Sequence, residues 1–438
     1  MSYGYFKEQT HHHEAIFHLF FRKNPFAGNY AIACGLGPII DILQNFTFSQ
    51  VDIEYLKSLT GNDQRQLFSA DFLKYLEKLE FTCDLDAVVE GTPLFPHEPI
   101  LRIRGPIIQC QILETILLNI INFQTLIATK AARIKAAAGG DPVMEFGLRR
   151  AQGIDGALSA SRAAFIGGTD STSNVLAGKQ FGIPVKGTHA HSWVMSFPTE
   201  LESFQAYAKA MPNNCIFLVD TYDTIEGIKK AILVAENLRE QGHEMLGIRL
   251  DSGDMTALSI AARELLDGAG FAQANIVASN DLDEYAIAKM KKNGAKIDIW
   301  GVGTKLVTAY DQPALGGVYK LAALRQSERE DFKYTLKLSE DVIKISNPGS
   351  LQIKRIMEKG MFSKDILFNT LDGATAEGLL IPIFRRGKQV YHAPSLREIQ
   401  AFAKREIEKV PNETYPVELD PLLLKLKLSL MNGAKEQK

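Results

Sequence analysis

Short apolar runs alternate with longer helical patterns between residues 143 and 321. Most runs are followed by glycine or polar residues, as buried strands usually are. Strands that alternate with helices pair in parallel, because a parallel connection needs a crossover longer than a hairpin. The pattern therefore predicts an α/β fold built on an irregular parallel barrel, with an open doubly wound sheet as the alternative. The runs cover residues 143–148, 163–166, 183–185, 215–219, 245–250, 274–278, 297–300 and 318–321, and the helical patterns cover residues 224–241, 255–269 and 281–293.

The two ends of the chain mix both patterns without this regular alternation. The first part combines strand-like runs at residues 15–23, 86–90 and 100–103 with helical patterns and a long apolar helix at 111–135. The last part has further strand-like runs followed by two helical patterns. Three regions are therefore expected: a mixed α/β sandwich domain at 1–125, a barrel that carries the active site at 126–330, and a C-terminal region at 331–438 that packs on both.

Composition narrows the class of protein further. The 438 residues are 46% hydrophobic and 23% charged, and the net charge of −2 provides no basic field for nucleic acid or an anionic membrane. The four cysteines form no CxxC pair, which favours a reducing compartment. The N-terminus has no apolar signal core, and the most apolar stretch, residues 112–123, is too short to span a bilayer. A cytoplasmic protein without nucleic-acid or membrane partners is expected.

Residues able to bind phosphates, sugar hydroxyls or a metal follow most of the predicted strands. Ligands of parallel α/β folds bind at the carboxyl ends of the strands, so residues in these positions should meet at one rim. Arginines and a glycine-rich turn suit phosphates, and carboxyl and hydroxyl groups suit a sugar or a metal. The candidates, in chain order, are Arg149, Asp170, Thr188, His191, Arg249, Asp251, Ser279, Asn280, Gly303 and Thr304.

Most of these residues also have an ordinary structural explanation. Residues 301–305 would form a tight turn as readily as a phosphate cradle, although Lys305 could add a charge to a cradle. Arg249 and Asp251 would form an internal ion pair about as readily as a binding site. Asp220, Asp223 and Asp254 also follow predicted strands, and they would cap the next helices as readily as they would bind a ligand.

Two histidines lie close together in residues 187–195. An imidazole can act as base, acid or nucleophile near neutral pH. A metal pair or a buried, hydrogen-bonded histidine is the alternative for His189 and His191, but no cysteine or third histidine lies nearby in sequence to complete a zinc site.

Four ordered motifs carry a resemblance to a known family. They are Phe-Gly-Leu-Arg-Arg-Ala-Gln-Gly at 146–153, Gly-Thr-x-Ala-His-Ser at 187–192, Arg-Leu-Asp-Ser-Gly-Asp at 249–254 and Gly-Val-Gly-Thr at 301–304. Together they closely resemble the nicotinate phosphoribosyltransferase family, which has the type II phosphoribosyltransferase fold. The similarity covers nearly the whole chain, from residues 20–26 to residues 415–417.

The resemblance implies a reaction and roles for the candidate residues. Nicotinate and phosphoribosyl pyrophosphate would give nicotinate mononucleotide and pyrophosphate in NAD salvage, driven by ATP with Mg²⁺ through a phosphorylated His191. Thr188 and Arg249 would contact nicotinate, and Arg149 would face the pyrophosphate. The other roles implied are the 5′-phosphate site for Gly303 and Thr304, the ribose or Mg²⁺ for Asp251, and further substrate contacts for Asp170, Ser279 and Asn280. The family also implies a homodimer with shared active sites.

One departure from the family raises an alternative. Family members begin with a segment whose tyrosine stacks on the pyridine ring, whereas this sequence starts at Met1-Ser2-Tyr3, just after that point. A homologue that binds nucleotide without turnover is therefore one alternative. Separately, a relative specific for nicotinamide is a second alternative.

Overall fold

The computed structural model describes residues 1–373 and 377–436. The chain forms two compact units, one of residues Met1–Leu126 and Ala314–Lys438, and one of residues Ile127–Pro313. The strands are β1 (Glu14–Phe20), β2 (Ala31–Ile32), β3 (Asp84–Ala87), β4 (Pro93–Leu94), β5 (Leu101–Pro106), β6 (Val143–Glu145), β7 (Ser171–Thr172), β8 (Ile216–Leu218), β9 (Gly247–Leu250), β10 (Asn275–Ala278), β11 (Ile299–Val302), β12 (Val318–Arg325), β13 (Lys333–Tyr334), β14 (Leu351–Glu358), β15 (Met361–Asn369), β16 (Ile381–Arg385), β17 (Lys388–Gln389) and β18 (Val417–Leu419).

The helices follow the polar and apolar periodicity of the sequence closely in most places. They are α1 (Ser2–Lys7), α2 (Leu36–Gln44), α3 (Gln50–Ser58), α4 (Ala70–Glu77), α5 (Ile107–Ala138), α6 (Ile154–Ile166), α7 (Val175–Phe181), α8 (His191–Met195), α9 (Glu200–Ala210), α10 (Thr224–Glu240), α11 (Met255–Gly268), α12 (Glu284–Lys292), α13 (Thr304–Val307), α14 (Leu396–Ile407) and α15 (Pro421–Glu436). Short 3₁₀ turns lie at Pro25–Ala27, Leu148–Arg150, Val342–Lys344 and Thr370–Asp372.

The second unit is built on a parallel sheet with the strand order β7-β6-β11-β10-β9-β8. A further parallel bridge joins Thr172 of β7 to Val185, which extends the sheet by one segment. Helices α10, α11 and α12 connect consecutive strands, and this connection is the reason the strands run in parallel. The predicted parallel α/β fold is confirmed, and the sheet is compatible with the predicted barrel.

Two of the predicted barrel strands are placed differently. Residues 163–166 form the last turn of α6, because the small apolar residues Ala163 and Ala164 suit a buried helix as well as a strand. Residues 318–321 belong to β12, which pairs antiparallel with β1 in the first unit. Short apolar runs do not specify which sheet they join, because that depends on partners far away in sequence.

The first unit contains a seven-stranded sheet with the order β13-β12-β1-β5-β3-β16-β17, whose strand pairs are antiparallel. A three-stranded sheet of β14, β15 and β18 and a two-stranded sheet of β2 and β4 accompany it. Helix α5 is long and apolar enough to cross a membrane by length and composition alone, but half of its most apolar window is buried within the protein. Core helices of soluble proteins share these properties, so the helix is weak evidence for a membrane span.

A buried histidine makes the stability of the protein dependent on pH. The ring of His18 on β1 is 1% exposed, and its Nε2 accepts a hydrogen bond of 3.1 Å from the backbone N–H of Leu351. Burial, helped by the charge of Arg102, lowers the pKa of His18 from 6.5 to about 3. As the pH falls from 6.5 towards 3, the unfolded chain binds a proton at this position that the folded chain excludes. Stability is therefore lost towards acid pH and is fully present above pH 6.5.

We expect His18→Gln to flatten the dependence of the unfolding free energy on pH between pH 6.5 and 3. The slope should fall by up to about 1.4 kcal/mol per pH unit, the effect of one proton. A glutamine oxygen can still accept from Leu351, so the protein should fold at neutral pH. Urea unfolding at several pH values measures the slope, and an unchanged slope would contradict the assignment.

Candidate active site

The candidate residues that follow β9 and the histidine loop meet directly. Arg249, near the end of β9, donates from Nη1 to Oγ1 of Thr188 at 2.6 Å. Burial lowers the pKa of Arg249, the carboxyl groups of Asp251 and Asp220 oppose that shift, and the charge of Arg149 adds to it. The positive charges of Arg149 and Arg249 therefore act on each other. Within the described part of the chain, the buried Nε of Arg249 has no hydrogen-bond partner. Two guanidinium charges that act on each other and a buried free donor are chemistry that suits an anion.

The imidazole of His191 lies between a hydroxyl and a carboxyl group. His191 is the first residue of α8, and its Nδ1 is 3.1 Å from Oγ1 of Thr221. Its Nε2 is 3.5 Å from Oδ2 of Asp251, and the His191 side chain is 37% exposed. The ring is therefore oriented at both nitrogens and still accessible to a reactant.

Asp251 is itself held by Ser279 and Asp220. The hydroxyl of Ser279 donates to its Oδ1, so the predicted candidates Ser279 and Asp251 are in contact. The backbone N–H of Asp251 donates to Oδ2 of Asp220 at 2.8 Å, and the hydroxyl of Ser252 donates to the same oxygen at 2.6 Å. Asp220 therefore positions the loop after β9.

The N-cap explanation holds for two of the three aspartates considered. Asp223 accepts from the backbone N–H of Glu226 at the start of α10. Asp254 accepts from the backbone N–H groups of Thr256 and Ala257 at the start of α11. These side chains begin helices, as acidic caps commonly do.

His189 and His191 face different surroundings. The ring of His189 is buried and packs against Tyr207 of α9 at 4.8 Å between ring centroids. Its Nε2 accepts from the backbone N–H of Leu218 at 3.1 Å, and burial lowers its pKa to about 4. Among the described residues, no group of three or more His, Cys, Asp or Glu side chains is placed to hold a metal ion. The arrangement favours the buried-histidine explanation for His189 and leaves His191 as the accessible imidazole of the pair.

The loops after β6 and β11 lie side by side. A Cβ at Gly147 would be 2.2 Å from Cγ1 of Val307 in α13, so only glycine fits there. This close approach brings the loop with the exposed Arg149 beside the turn of Gly303 and Thr304. Lys305 does not face this turn, because its Nζ pairs with Asp283 at 2.7 Å.

A buried glutamate holds the Arg149 loop in place. Glu145, at the end of β6, is 0% exposed and accepts hydrogen bonds from Ser161 at 2.8 Å, from Thr172 at 2.6 Å and from the backbone N–H of Gly147. Sequence reasoning missed Glu145, because its partners Ser161 and Thr172 are distant along the chain.

We expect Glu145→Leu to lower the unfolding free energy by about 2–5 kcal/mol, because three buried donors lose their acceptor. Glu145→Gln keeps an oxygen for the N–H of Gly147, and the two hydroxyl partners can rotate, so its loss should be about 1 kcal/mol. Urea unfolding measures both variants. Equal losses for the two variants would show that hydrogen bonding at Glu145 is unimportant.

One predicted substrate contact, Asp170, lies apart from this cluster. Asp170 precedes β7, accepts from the backbone N–H of Val143 at 2.8 Å and pairs with Lys135 at 2.8 Å. Val143 is the first residue of β6, so Asp170 lies at the amino ends of the strands, opposite the rim. Asn280 follows Ser279 at the rim, is exposed and adopts a left-handed φ of 87°.

Family models match three segments of the chain. The N-terminal domain of nicotinate phosphoribosyltransferase matches residues 1–122, the nicotinate phosphoribosyltransferase family matches residues 142–330, and the C-terminal domain matches residues 364–427. All the residues of the cluster described above lie in the second segment.

Similar proteins agree with these matches. Nicotinate phosphoribosyltransferase of Bacillus subtilis is 46% identical over 362 residues, which cover 82% of this chain and 71% of that protein. The human protein of the same name is 35% identical over 412 residues, with 82% and 75% coverage. The crystal structure of human nicotinic acid phosphoribosyltransferase superposes with a TM-score of 0.85 at 29% identity and covers 98% of both chains. A nicotinate-nucleotide pyrophosphorylase from Pyrococcus furiosus shares the fold, with a TM-score of 0.71 at 22% identity and coverage of 93% and 92%. These matches confirm the resemblance carried by the four motifs, and the chain belongs to the nicotinate phosphoribosyltransferase family.

Proposed function

We propose that this chain transfers a phosphoribosyl group to nicotinate in NAD biosynthesis, and that ATP drives the transfer through phosphorylation of His191. The observation that carries the proposal is the direct pairing of Arg249 with Thr188 beside the pairing of His191 with Asp251. An anion-binding pair next to an accessible imidazole supplies the two functions that this coupled reaction needs.

Arg249 and Thr188 are proposed to bind the carboxylate of nicotinate. A guanidinium group donates to both oxygens of a carboxylate, and the Nε of Arg249 is a buried donor without a hydrogen-bond partner in the described chain. The amide of nicotinamide would turn an N–H donor towards these donors. The site therefore favours the acid over the amide.

Arg149, Gly303 and Thr304 are proposed to hold the phosphates of phosphoribosyl pyrophosphate. Arg149 is exposed and electrostatically coupled to Arg249, which suits the pyrophosphate leaving group. Gly303 is the N-cap of α13, and a helix N-terminus presents backbone N–H groups to an anion. Thr304 adds a hydroxyl for the 5′-phosphate. The sugar becomes cationic in the transition state, and the carboxyl groups of Asp251 and Asp220 lie nearby to stabilise that charge.

His191 is proposed to accept the γ-phosphoryl group of ATP on Nδ1. Asp251 accepts hydrogen bonds, so its position 3.5 Å from Nε2 favours a proton on that nitrogen. Nδ1 then carries the lone pair that attacks phosphorus while ADP leaves, and Thr221 donates to it beforehand. Phosphorylation at Nε2 instead of Nδ1 would contradict this assignment.

Asp251 and Asp220 are proposed to provide the protein contacts for Mg²⁺. One carboxyl oxygen of Asp220, Oδ1, is buried and has no hydrogen-bond partner among the described residues. Mg²⁺ keeps water and phosphate oxygens as most of its ligands and needs only one or two carboxylates from the protein, so this donor set fits. The ion would neutralise charge on the departing pyrophosphate.

A homodimer with shared active sites is proposed for the assembly. Ile154 and Val175 begin the helices that follow β6 and β7, and they are 78% and 69% exposed. Exposed apolar side chains at the rim support a protein interface there. Light scattering of the purified protein tests the assembly, and a monomer would contradict it.

The cytoplasm is the proposed compartment. The four cysteines are free and buried, which supports a reducing environment.

Liquid chromatography of the products tests the proposed function. Purified protein with nicotinate, phosphoribosyl pyrophosphate, ATP and Mg²⁺ should form nicotinate mononucleotide and pyrophosphate. Replacing nicotinate with nicotinamide should reduce turnover by roughly 100-fold, because the amide N–H of nicotinamide would point at the buried N–H donors of Arg249. Faster turnover of the amide would overturn the role of Arg249, and absence of product with either base would overturn the activity.

A further inference from the structure

Strand β8 has an open edge in the parallel sheet. Among the described residues, β8 pairs with β9 as its only strand neighbour. The backbone N–H of Val219, just after β8, donates to the carbonyl of Arg249 at 3.3 Å. Successive N–H groups of a strand point to opposite edges, so the N–H of Leu218 points away from β9. A buried N–H at such an edge needs an acceptor from elsewhere.

His189 supplies that acceptor. Its Nε2 is 3.1 Å from the backbone nitrogen of Leu218, and both residues are buried. Because the N–H donates, Nε2 carries the lone pair and the ring proton is on Nδ1. The burial that lowers the pKa of His189 to about 4 keeps the ring neutral at physiological pH, as this hydrogen bond requires.

Aromatic contacts fix the ring of His189 from another side. Tyr207 and Phe204 of α9 lie at centroid distances of 4.8 Å and 6.0 Å, with interplanar angles of 71° and 45°. The ring thus joins three elements: the loop before α8, the open edge of β8, and helix α9. Thr188 and His191, by contrast, contact residues at the rim.

We infer that His189 is a positioning residue, which ties the loop of residues 187–191 to the open edge of β8 and so places Thr188 and His191. Thr188, one residue before it, contacts Arg249, and His191, two residues after it, contacts Thr221 and Asp251. Displacement of this loop would disturb base binding and phosphoryl transfer together. The inference rests on the proposed function for its kinetic test but not for its structural one.

Two substitutions separate the hydrogen bond from the packing. His189→Phe keeps an aromatic ring against Tyr207 and Phe204 and removes the acceptor. His189→Gln places an amide oxygen near the position of Nε2 and restores an acceptor for Leu218. His243→Gln is the control. His243 lies in the loop before β9 and bonds to Asn213, which precedes β8, so both residues are at the amino ends of the strands.

We expect His189→Phe to raise KM for nicotinate and to lower ³²P retention from γ-labelled ATP, each by roughly 10-fold, because small displacements of reacting groups are costly. His189→Gln should stay within about 3-fold of wild type in both readouts, and His243→Gln should match wild type. A His189→Phe variant equal to wild type, or a His189→Gln variant as impaired as His189→Phe, would overturn the inference.

A measurement on the unmodified chain covers the case in which His189→Phe fails to fold. Nitrogen NMR of histidine-labelled wild type should show His189 as the neutral tautomer with its proton on Nδ1. Hydrogen exchange of the Leu218 amide should be slow in wild type and in His189→Gln. A proton on Nε2 of His189 would overturn the inference whatever the enzyme does. If wild type forms no product, the proposed function fails, while these two readouts still decide the role of His189.

Discussion

His191→Ala is expected to abolish the retention of ³²P from γ-labelled ATP. The methyl group has no nucleophilic nitrogen, so no phosphoryl group can be held at this position. Nicotinate mononucleotide formation should fall by about 10²–10³-fold, the usual effect of removing one preorganised group from an active site. The bound label in wild type should also be acid-labile and alkali-stable, as phosphohistidine is.

The companion measurements for His191 distinguish loss of chemistry from loss of fold. His243→Ala replaces a histidine that lies before β9 and bonds to Asn213, and this variant should retain label and turnover. Thermal melting of His191→Ala should be close to that of wild type, because the His191 side chain is 37% exposed. Undiminished labelling of a folded His191→Ala protein would move the phosphorylation to another residue.

Arg249→Ala is expected to raise KM for nicotinate by roughly 100-fold, because the proposed charged partner of the carboxylate is removed. The change also removes the contact of Arg249 with Thr188, which is 2.6 Å long. Discrimination against nicotinamide should fall by a similar factor, because the donor that opposes the amide is lost. Initial rates with both bases measure the two effects.

Arg239→Ala is the matched control for Arg249. The guanidinium of Arg239 pairs with Glu244 on the surface of the same unit, so its loss should leave KM for both bases unchanged. Arg249→Lys keeps a charge without the planar fork and should remain impaired. A variant of Arg249 that binds nicotinate normally but loses phosphate affinity would reassign this residue to the other substrate.

The sequence predicts most of the residues that lie at the site, but it does not predict the contacts between them. Parallel strands end at the same edge, so residues after consecutive strands were expected to meet, and Arg249, Asp251 and Ser279 do lie at that edge. Asp170 does not, because the run before it is the end of α6 and not a strand. Small apolar residues fit either element, and periodicity over four positions cannot separate them.

The positioning residues were the least visible in the sequence. Glu145 and Asp220 contact groups 16 to 32 residues away in the chain, and no local spacing marks such pairs. The different surroundings of His189 and His191 depend on α9 and β8, which the motif does not contain.

The sequence by itself determined the parallel α/β class, the family and most of the polar side chains that meet at the rim, because strand periodicity and short motifs are local properties of the chain. Tertiary structure alone decided which imidazole faces the rim, which carboxyl groups serve as supports, and which apolar runs join which sheet. Those outcomes depend on burial and on hydrogen-bond partners brought together from distant segments, and burial is a property of the packed chain.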